Sequence, residues 1–296
     1  MENDVFFSII IPTYNRANFI ATTIKSVLDQ SYSKFELIVV DDGSTDNTEK
    51  IVKSFSDIRI KYYKKINEER GVARNFGVVK AKGEYVTFLD SDDILYSNHF
   101  EESAKYIYQN NFPNWFSIGY NIIDDKGSIL YNSSSISGNL NIKLISGNFL
   151  SCNGVFLKSN IANEFRFNEN RLLAGVEDWE LWLRIASKHK LYMSKAITSS
   201  IINHDTRSVL DNNIQSLIHR FDVFIALVLN NSEILNYYKG KLHLFKSSCY
   251  TYISLHIALT KKNKIVAIRY LFIGLIQNPQ FVFERRFFAI IKHLLF

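Results

Sequence analysis

Apolar runs and amphipathic segments alternate along the first part of the chain. Residues 6–11, 35–40 and 84–89 are rich in Ile, Val, Leu and Phe, which is typical of strands buried on both faces. Residues 20–28 are apolar at every third or fourth position and are predicted to form a helix. We predict that Pro12 ends the first strand. A strand, a helix and a strand in this order form a β-α-β unit with parallel strands.

The same alternation repeats, with a helix predicted up to residue 55, a strand at 58–63 and a helix at 72–80. Parallel strands end at one edge of a sheet, where ligands bind, so we expect the polar loops after them to form a nucleotide site. Neither G-x-G-x-x-G nor G-x-x-x-x-G-K-[ST] occurs, so carboxylates and a metal are expected to handle the phosphates. The polar segments concerned are residues 13–16, 41–42 and 90–92.

Three carboxylates, Asp90, Asp92 and Asp93, follow the apolar run 84–89. Acidic side chains at the end of a buried strand need a neutralising partner, and a divalent cation would serve. Hard oxygen donors suit Mg²⁺ or Mn²⁺, which proteins commonly hold with one or two carboxylates and substrate phosphates. The alternative is an acidic turn that caps a solvated helix.

The pattern changes after residue 97. Residues 115–123 and 128–131 are predicted to form a hairpin, and residues 153–158 a further strand. Residues 133–148 are rich in Ser, Asn and Gly, so we predict a mobile loop over the site.

Two more carboxylates, Glu177 and Asp178, follow Gly175 in the first turn of a predicted helix. The helix dipole favours acidic residues there, so a structural role and a catalytic role both remain open. A strand beyond Leu191 leads to His204, and a lone histidine is more often a surface or hydrogen-bonded residue than a ligand.

Helical patterns fill the chain from residue 214, with breaks near 230–232, 261–264 and 278–279. The net charge of +6 is uneven, because residues 212–296 contain 11 Lys and Arg but 3 Asp and Glu. The basic residues alternate with Phe, Ile and Leu, which favours an anionic membrane surface over nucleic acid as partner. The last predicted helix, 281–296, could pack on the domain, form a homodimer or lie on a membrane.

The length of 296 residues suits one large α/β domain, predicted for 1–210, and a C-terminal helical region, 211–296. Cys152 and Cys249 have no disulfide or metal-ligand spacing and are predicted to be reduced core thiols. The acidic N-terminus is unlike a signal peptide, and no apolar run is long enough to cross a bilayer. We therefore expect a cytoplasmic protein with peripheral contact to the cytoplasmic face of the inner membrane.

The order of several short motifs closely resembles glycosyltransferase family 2 over about the first 210 residues. The motifs are Ile-Ile-Ile-Pro-Thr-Tyr-Asn-Arg at 9–16, Asp-Asp-Gly-Ser-Thr-Asp at 41–46, Ala-Arg-Asn at 73–75, Lys-Gly-Glu-Tyr at 82–85, Leu-Asp-Ser-Asp-Asp at 89–93 and Glu-Asp-Trp at 177–179.

The resemblance implies a GT-A fold, a Rossmann-like α/β domain with a mostly parallel sheet, which transfers a sugar from a nucleotide-sugar with inversion. Thr13, Tyr14 and Asp42 would line the base pocket, and Arg74 would face the nucleotide or diphosphate. The donor-binding residues implied by position are Pro12, Thr13, Tyr14, Arg16, Asp41, Asp42, Arg74, Asp90 and Ser91.

The resemblance also implies the metal ligands and the catalytic base. Asp92 would bind Mn²⁺ or Mg²⁺ directly, Asp90 would lie by the ribose and metal, and His204 would help to bind the metal or the diphosphate. Asp178 matches the catalytic base, and Glu177 would support it near the acceptor.

The implied reaction is transfer of a hexose or N-acetylhexosamine, with a UDP-sugar favoured over dTDP- and GDP-sugars, to a hydroxyl of a lipid-linked glycan. Such a step belongs to the assembly of a bacterial surface polysaccharide, such as an O-antigen or a capsule. Two alternatives remain: a non-catalytic transferase-like binding module, and a sugar nucleotidylyltransferase.

Overall fold

A computed structural model describes residues 4–133, 136–204 and 213–296. The strands are β1 (Phe7–Thr13), β2 (Phe35–Asp41), β3 (Ile60–Lys64), β4 (Tyr85–Phe88), β5 (Ile94–Leu95), β6 (Trp115–Ile123), β7 (Ile129–Asn132), β8 (Val155–Lys158) and β9 (Tyr192–Ile202). The helices are α1 (Ile20–Leu28), α2 (Thr48–Lys53), α3 (Arg70–Lys80), α4 (His99–Gln109), α5 (Leu140–Leu144), α6 (Ser159–Glu164), α7 (Glu177–Lys188), α8 (Ile214–Asn230), α9 (Ser232–Tyr237), α10 (Leu242–Leu259), α11 (Lys264–Gln277) and α12 (Arg285–Leu295).

The strands form one nine-stranded sheet in the order β3-β2-β1-β4-β8-β6-β9-β5, with β7 paired to β6. β3, β2, β1 and β4 are parallel, which confirms the predicted β-α-β units. β8 runs antiparallel to both β4 and β6, and β9 runs parallel to β6. Every residue of β1, β2 and β4 is buried, as continuous apolar runs indicate for strands covered on both faces.

The first strand continues through Pro12 to Thr13, so its predicted end at Pro12 is wrong by one residue. Ile10 accepts a hydrogen bond from the N–H of Leu89 on the β4 side, and Thr13 accepts one from Asp42 on the β2 side. Since alternate residues point the same way, Pro12 faces the β4 side, where strand pairing has already ended at Ile10. The missing N–H of proline therefore removes no ladder bond.

Three other local predictions need correction. The segment 133–148 is not a continuous loop, because Asn139 accepts a hydrogen bond from the N–H of Ile142 and caps the short helix α5. The helix α4 and the strand β5 were not predicted at all. The last helix begins at Arg285 rather than 281, because Pro279 opens a 3₁₀ segment that extends to Phe283.

The chain forms two compact units. The first contains residues 1–138, 149–181 and 189–207, and the second contains 139–148, 182–188 and 208–296. The second unit thus includes two segments that the predicted division at 1–210 and 211–296 assigns to the first domain. That division stays a prediction.

The breaks predicted in the helical region coincide with the helix ends of the second unit. Asn231 lies between α8 and α9 and accepts hydrogen bonds from Glu233 and Ile234, which fixes the start of α9. α11 packs closely on α10, since a Cβ at Gly274 would lie 2.6 Å from Cγ2 of Thr251. None of the described helices has both the length and the hydropathy needed to cross a bilayer.

Candidate active site

The loop after β1 is held against the loop after β2 by backbone and side-chain hydrogen bonds. The N–H of Asp42 donates to the carbonyl of Thr13 at 2.8 Å. Asn15 has φ of 50°, a left-handed conformation that Asn adopts more readily than most residues, and its side chain accepts the N–H of Thr45 from the other loop at 2.8 Å. Thr13 is buried and Tyr14 is 46% exposed, so only the tyrosine ring of this pair reaches outward.

The side chain of Asp41 is fully buried and organises the turn after β2. Its carboxylate accepts the N–H of Ser44 at 2.7 Å and the hydroxyl of Tyr62 at 2.6 Å. Burial and the Asp41 carboxylate raise the pKa of Tyr62, so this hydroxyl remains a donor. Asp41 therefore shapes the pocket predicted at this strand end, and its predicted part in donor binding stays a prediction.

The carboxylate of Asp42 is similarly engaged. It accepts the N–H groups of Glu68 and Glu69 and the ammonium of Lys65, the last at 2.8 Å. These bonds tie the loop before α3 to the end of β2, and Glu69 has a positive φ of 81° there. Asp42 lies at the predicted base pocket, but its role in that pocket stays a prediction.

Arg74 links the end of β4 to the start of α7. Its side chain is 1% exposed, and its two terminal nitrogens donate to Asp90 Oδ1 at 2.7 Å and Glu177 Oε1 at 2.8 Å. The ring of Phe167 lies 5.1 Å from the guanidinium carbon. Nε is enclosed and has no partner among the described residues. Burial and these carboxylate bonds make Arg74 a fixed connection between two predicted functional segments.

The first turn of α7 presents Glu177 and Asp178. Gly175 has φ of 99° and its N–H donates to Glu177 Oε2, so the turn into the helix requires glycine. Burial would raise the pKa of Glu177, but the charges of Arg70 and Arg74 outweigh it and lower this pKa below its usual value. Glu177 is therefore held as a buried, ionised carboxylate.

Asp178 is half-buried, and its Oδ1 accepts the N–H of Trp179 at 2.7 Å. Burial first, and then the charges of Tyr131 and Asp178, raise the pKa of Tyr120 to about 12. Asp178 is thus close enough to β6 to act electrostatically on a residue of that strand.

The structure brings His204 to Asp92, although 112 positions separate them. His204 Nε2 lies 3.2 Å from Asp92 Oδ2, and Arg16 Nε lies 3.5 Å from the same oxygen. The His204 ring stacks on Phe19 with centroids 4.5 Å apart. Both the Asp92 and the His204 side chains are 11% exposed, so His204 is a hydrogen-bonded residue rather than a surface one, and its predicted role as a ligand stays a prediction.

The donor set at Asp92 fits a divalent cation. A carboxylate oxygen and an imidazole nitrogen lie close enough to turn towards one ion, and Mn²⁺ accepts both donor types. Across residues 4–133, 136–204 and 213–296, no three His, Cys, Asp or Glu side chains are arranged around a common ion position. Asp90 points to Arg74 instead, and Ser91 accepts the Thr23 hydroxyl through its carbonyl at 3.0 Å.

Sequence reasoning missed Arg70 as a neighbour of the site. Its Nε is 3.9 Å from Glu177 Oε1, and it lies one helical turn before Arg74 on α3. That i,i+4 spacing was the available signal. A small hollow next to Glu177 is lined by Glu69, Arg70, Gly71, Val72, Asn168, Glu169, Asn170, Arg171 and Ala174.

The fold is that of the GT-A glycosyltransferases. A Staphylococcus aureus TarS structure, residues 1–349 in complex with UDP-GlcNAc, aligns with a TM-score of 0.65 at 20% identity, covering 98% of this chain and 88% of that one. The Pyrobaculum calidifontis mannosyltransferase in complex with GDP-Man and Mn²⁺ aligns with a TM-score of 0.62 at 15% identity, covering 98% and 86%.

The chain belongs to glycosyl transferase family 2, whose family model matches residues 8–161. An uncharacterized glycosyltransferase of Rickettsia bellii is 36% identical over 240 residues, covering 79% of this chain. An Escherichia coli protein named UDP-Glc:alpha-D-GlcNAc-diphosphoundecaprenol beta-1,3-glucosyltransferase is 33% identical over 237 residues, covering 77% of this chain and 88% of that protein. The chain spans 34% to 41% of the length of the first Rickettsia relatives it matches. The predicted family and fold class are confirmed.

Proposed function

We propose that the chain transfers a hexose or N-acetylhexosamine from a UDP-sugar to a hydroxyl of a glycan acceptor, with inversion at the anomeric carbon. The observation that carries the proposal is the Arg74 link. Its bonds to Asp90 at 2.7 Å and Glu177 at 2.8 Å hold the carboxylates at the end of β4 beside the first turn of α7. A donor site and an acceptor base need this proximity.

The donor would lie across the carboxyl ends of β1, β2 and β4. Thr13, Tyr14 and Asp42 would contact the base, and Asp41 would keep the turn in place. Pro12, Arg16 and Ser91 would complete the donor-binding surface. Arg74 is 1% exposed, so we propose that it acts on the diphosphate through the carboxylates that it positions.

Asp92 and His204 would hold Mn²⁺ or Mg²⁺, with Asp90 close by. When bound, such an ion supplies positive charge for the departing diphosphate. Arg16 lies next to the same Asp92 oxygen and adds a second positive charge on this side of the site.

Asp178 would remove the proton of the acceptor hydroxyl as that oxygen attacks the sugar from the face opposite the diphosphate. Glu177 cannot share this task easily, because Arg74 and the N–H of Gly175 already occupy its oxygens. One carboxylate base without a protein nucleophile fits single displacement, which inverts the anomeric centre. Family membership favours this transfer over the binding-module and nucleotidylyltransferase alternatives.

We expect UDP to bind in the presence of Mn²⁺ and Asp92→Ala to weaken that binding by about 10- to 100-fold, since it removes a metal ligand. Calorimetry with UDP, dTDP and GDP, repeated with EDTA, measures this. Asp125→Ala, on the exposed turn between β6 and β7, is the control and should bind like wild type. Equal nucleotide affinity in Asp92→Ala and wild type would remove Asp92 from the metal site.

The acceptor in this proposal is a lipid-linked glycan of bacterial surface polysaccharide assembly. The name of the Escherichia coli relative, which specifies a diphosphoundecaprenol acceptor, supports it. The segment 147–153 and the C-terminal helices would contact this acceptor.

Peripheral membrane contact would use an apolar stripe on α11. Ile265, Phe272 and Ile276 follow each other on one helix face and are 84%, 61% and 75% exposed. The exposed face of a helix in water is normally polar, and Lys264 and Arg269 flank this stripe, as in helices that lie on anionic bilayers. A homodimer that buries the stripe is the competing use of this surface.

Replacing Ile265, Phe272 and Ile276 together by Gln should weaken binding to phosphatidylglycerol vesicles at least about tenfold, since each buried side chain contributes about 1.5–3 kcal/mol. Sedimentation with vesicles measures this. In the control, Ile129 and Leu130, which are 58% and 56% exposed on β7, are replaced by Gln, and vesicle binding should not change. Unchanged vesicle binding together with loss of a dimer would assign the stripe to self-association.

A further inference from the structure

The largely enclosed guanidinium of Arg286 on α12 lacks an acidic partner. Its Nη1 donates to the carbonyl and hydroxyl of Ser248, both at 3.3 Å, and to the hydroxyl of Thr251 at 3.4 Å. No carboxylate oxygen of the described residues lies within 4 Å of it, and Glu284 acts on it only at longer range. The three bonds hold α12 to α10 through neutral acceptors, so no ion pair with the described residues neutralises the positive charge directly.

An uncompensated cation in an enclosed position is costly, because protein atoms replace water without supplying the opposite charge. Burial accordingly lowers the pKa of Arg286. Nε and Nη2 make no hydrogen bond to the described residues, and neither is among the fully enclosed polar atoms. These two nitrogens form one edge of the guanidinium fork, and the described residues supply no hydrogen-bond acceptor for it.

A second arginine, Arg220, lies on α8, which packs on the same part of α10. Burial, and then the charges of Arg286 and Arg220, lower the pKa of His256 to about 4, so the imidazole is neutral near pH 7. The His256 ring stacks on Tyr252 with centroids 4.1 Å apart. Phe221, the residue after Arg220 on α8, has its ring 5.0 Å from that of Tyr252 on α10, and Arg286 on α12 bonds to the neighbouring Thr251.

We propose that Arg286 and Arg220 bind the phosphate group of a lipid-borne ligand. A guanidinium edge donates two parallel hydrogen bonds to phosphate oxygens, which is the geometry that Arg favours. Phe283 and Phe288 flank Arg286 in the sequence and are 84% and 61% exposed, an apolar setting suited to a lipid. The inference rests on the proposed lipid-linked acceptor, whose diphosphate is one source of the phosphate. A bilayer phospholipid is the other.

The test titrates the full chain with inorganic pyrophosphate by calorimetry, with EDTA present to suppress metal-dependent binding. Arg286→Gln should weaken pyrophosphate binding about 10- to 100-fold, the effect of removing a charge-assisted hydrogen-bond pair. Lys239→Gln removes an exposed cation between α9 and α10 and should bind like wild type. Equal pyrophosphate affinity in Arg286→Gln and wild type overturns the inference.

A second variant distinguishes anion binding by Arg286 from a purely structural role of this residue. Ser248→Ala with Thr251→Val removes the side-chain acceptors that hold Arg286 but keeps its charge. It should retain pyrophosphate binding even if its melting temperature falls. Loss of binding in this variant to the same extent as in Arg286→Gln would assign Arg286 to helix packing alone.

Vesicles distinguish the sources of the phosphate. If the acceptor is the ligand, a polyprenyl diphosphate should compete with pyrophosphate and phosphatidylglycerol vesicles should not. If a bilayer headgroup is the ligand, the vesicles should compete and the polyprenyl diphosphate should not. If neither the polyprenyl diphosphate nor the vesicles compete with pyrophosphate, the proposal of a lipid-borne ligand is wrong. If Arg286→Gln still transfers sugar and its KM for the acceptor is unchanged, the acceptor is not the source of the phosphate. The proposed function is then unaffected. If the wild-type chain transfers no sugar but its pyrophosphate binding still depends on Arg286, the proposed function is wrong and the anion site remains.

Discussion

Asp178→Asn should reduce sugar transfer by about 10² to 10⁴-fold, the contribution expected of a general base. The amide has nearly the shape of the carboxylate, and its oxygen can still accept the N–H of Trp179 that Asp178 accepts at 2.7 Å. The first turn of α7 should therefore persist while the proton acceptor is lost. Release of nucleotide from a UDP-sugar in the presence of acceptor measures the rate, and UDP calorimetry should show unchanged donor binding.

The matched control for this prediction is Asp125→Asn, the same chemical change on an exposed turn of the first unit. It should leave both rate and donor affinity unchanged. A rate in Asp178→Asn above a tenth of the wild-type rate would rule out Asp178 as the base. A comparable loss of UDP binding and rate would instead indicate that Asp178 acts on the donor site.

Arg74→Met should lower the free energy of unfolding by about 3–5 kcal/mol at pH 7, the usual cost of removing one partner of a buried ion pair. Methionine fills much of the same volume but leaves Glu177, which is 5% exposed, without its closest positive charge. Urea unfolding measures the difference. Arg70→Met is the comparison: Arg70 lies 3.9 Å from Glu177 and is 26% exposed, so solvent screens its charge and its loss should cost less than that of Arg74.

The effect of Arg74→Met should depend on pH in a defined direction. The wild-type protein holds the pKa of Glu177 below its usual 4.5, so the stabilisation is present above pH 4.5 and is lost as pH falls through the folded-state pKa. The variant loses one of the two arginine charges that lower this pKa, so the pKa of Glu177 is higher than in wild type and protonation at low pH relieves the buried charge. The stability difference between the two proteins should shrink below about pH 4.5. A difference independent of pH would mean that Arg74 acts through packing on Phe167.

The sequence was sufficient to predict much of the parallel part of the sheet. β1, β2 and β4 are continuous apolar runs with amphipathic helices between them, and this pattern depends on local burial alone. The sequence pattern did not predict elements that depend on pairing with distant parts of the chain. β5 is formed by Ile94 and Leu95 only and exists through its pairing with β9, more than 100 positions along the chain.

The residue types of the candidate site could also be predicted, because carboxylates at strand ends and helix starts are visible as motifs. Their partners could not. His204 alone resembles a surface histidine, and only the fold places it 3.2 Å from Asp92. The motif around Arg74 implied contact with the nucleotide or diphosphate, whereas tertiary packing buries its side chain and directs its two terminal nitrogens to Asp90 and Glu177.

Periodicity and the order of motifs therefore determined the family, the class of fold and the strand ends that carry the carboxylates. Only the tertiary structure decided which charges form ion pairs and which bond to neutral acceptors among the described residues, as Arg286 does. The physical reason is the distance along the chain. Hydrophobic patterns report whether each residue is buried, while an ion pair such as Arg74 with Glu177 joins residues 103 positions apart and depends on how the intervening segments pack.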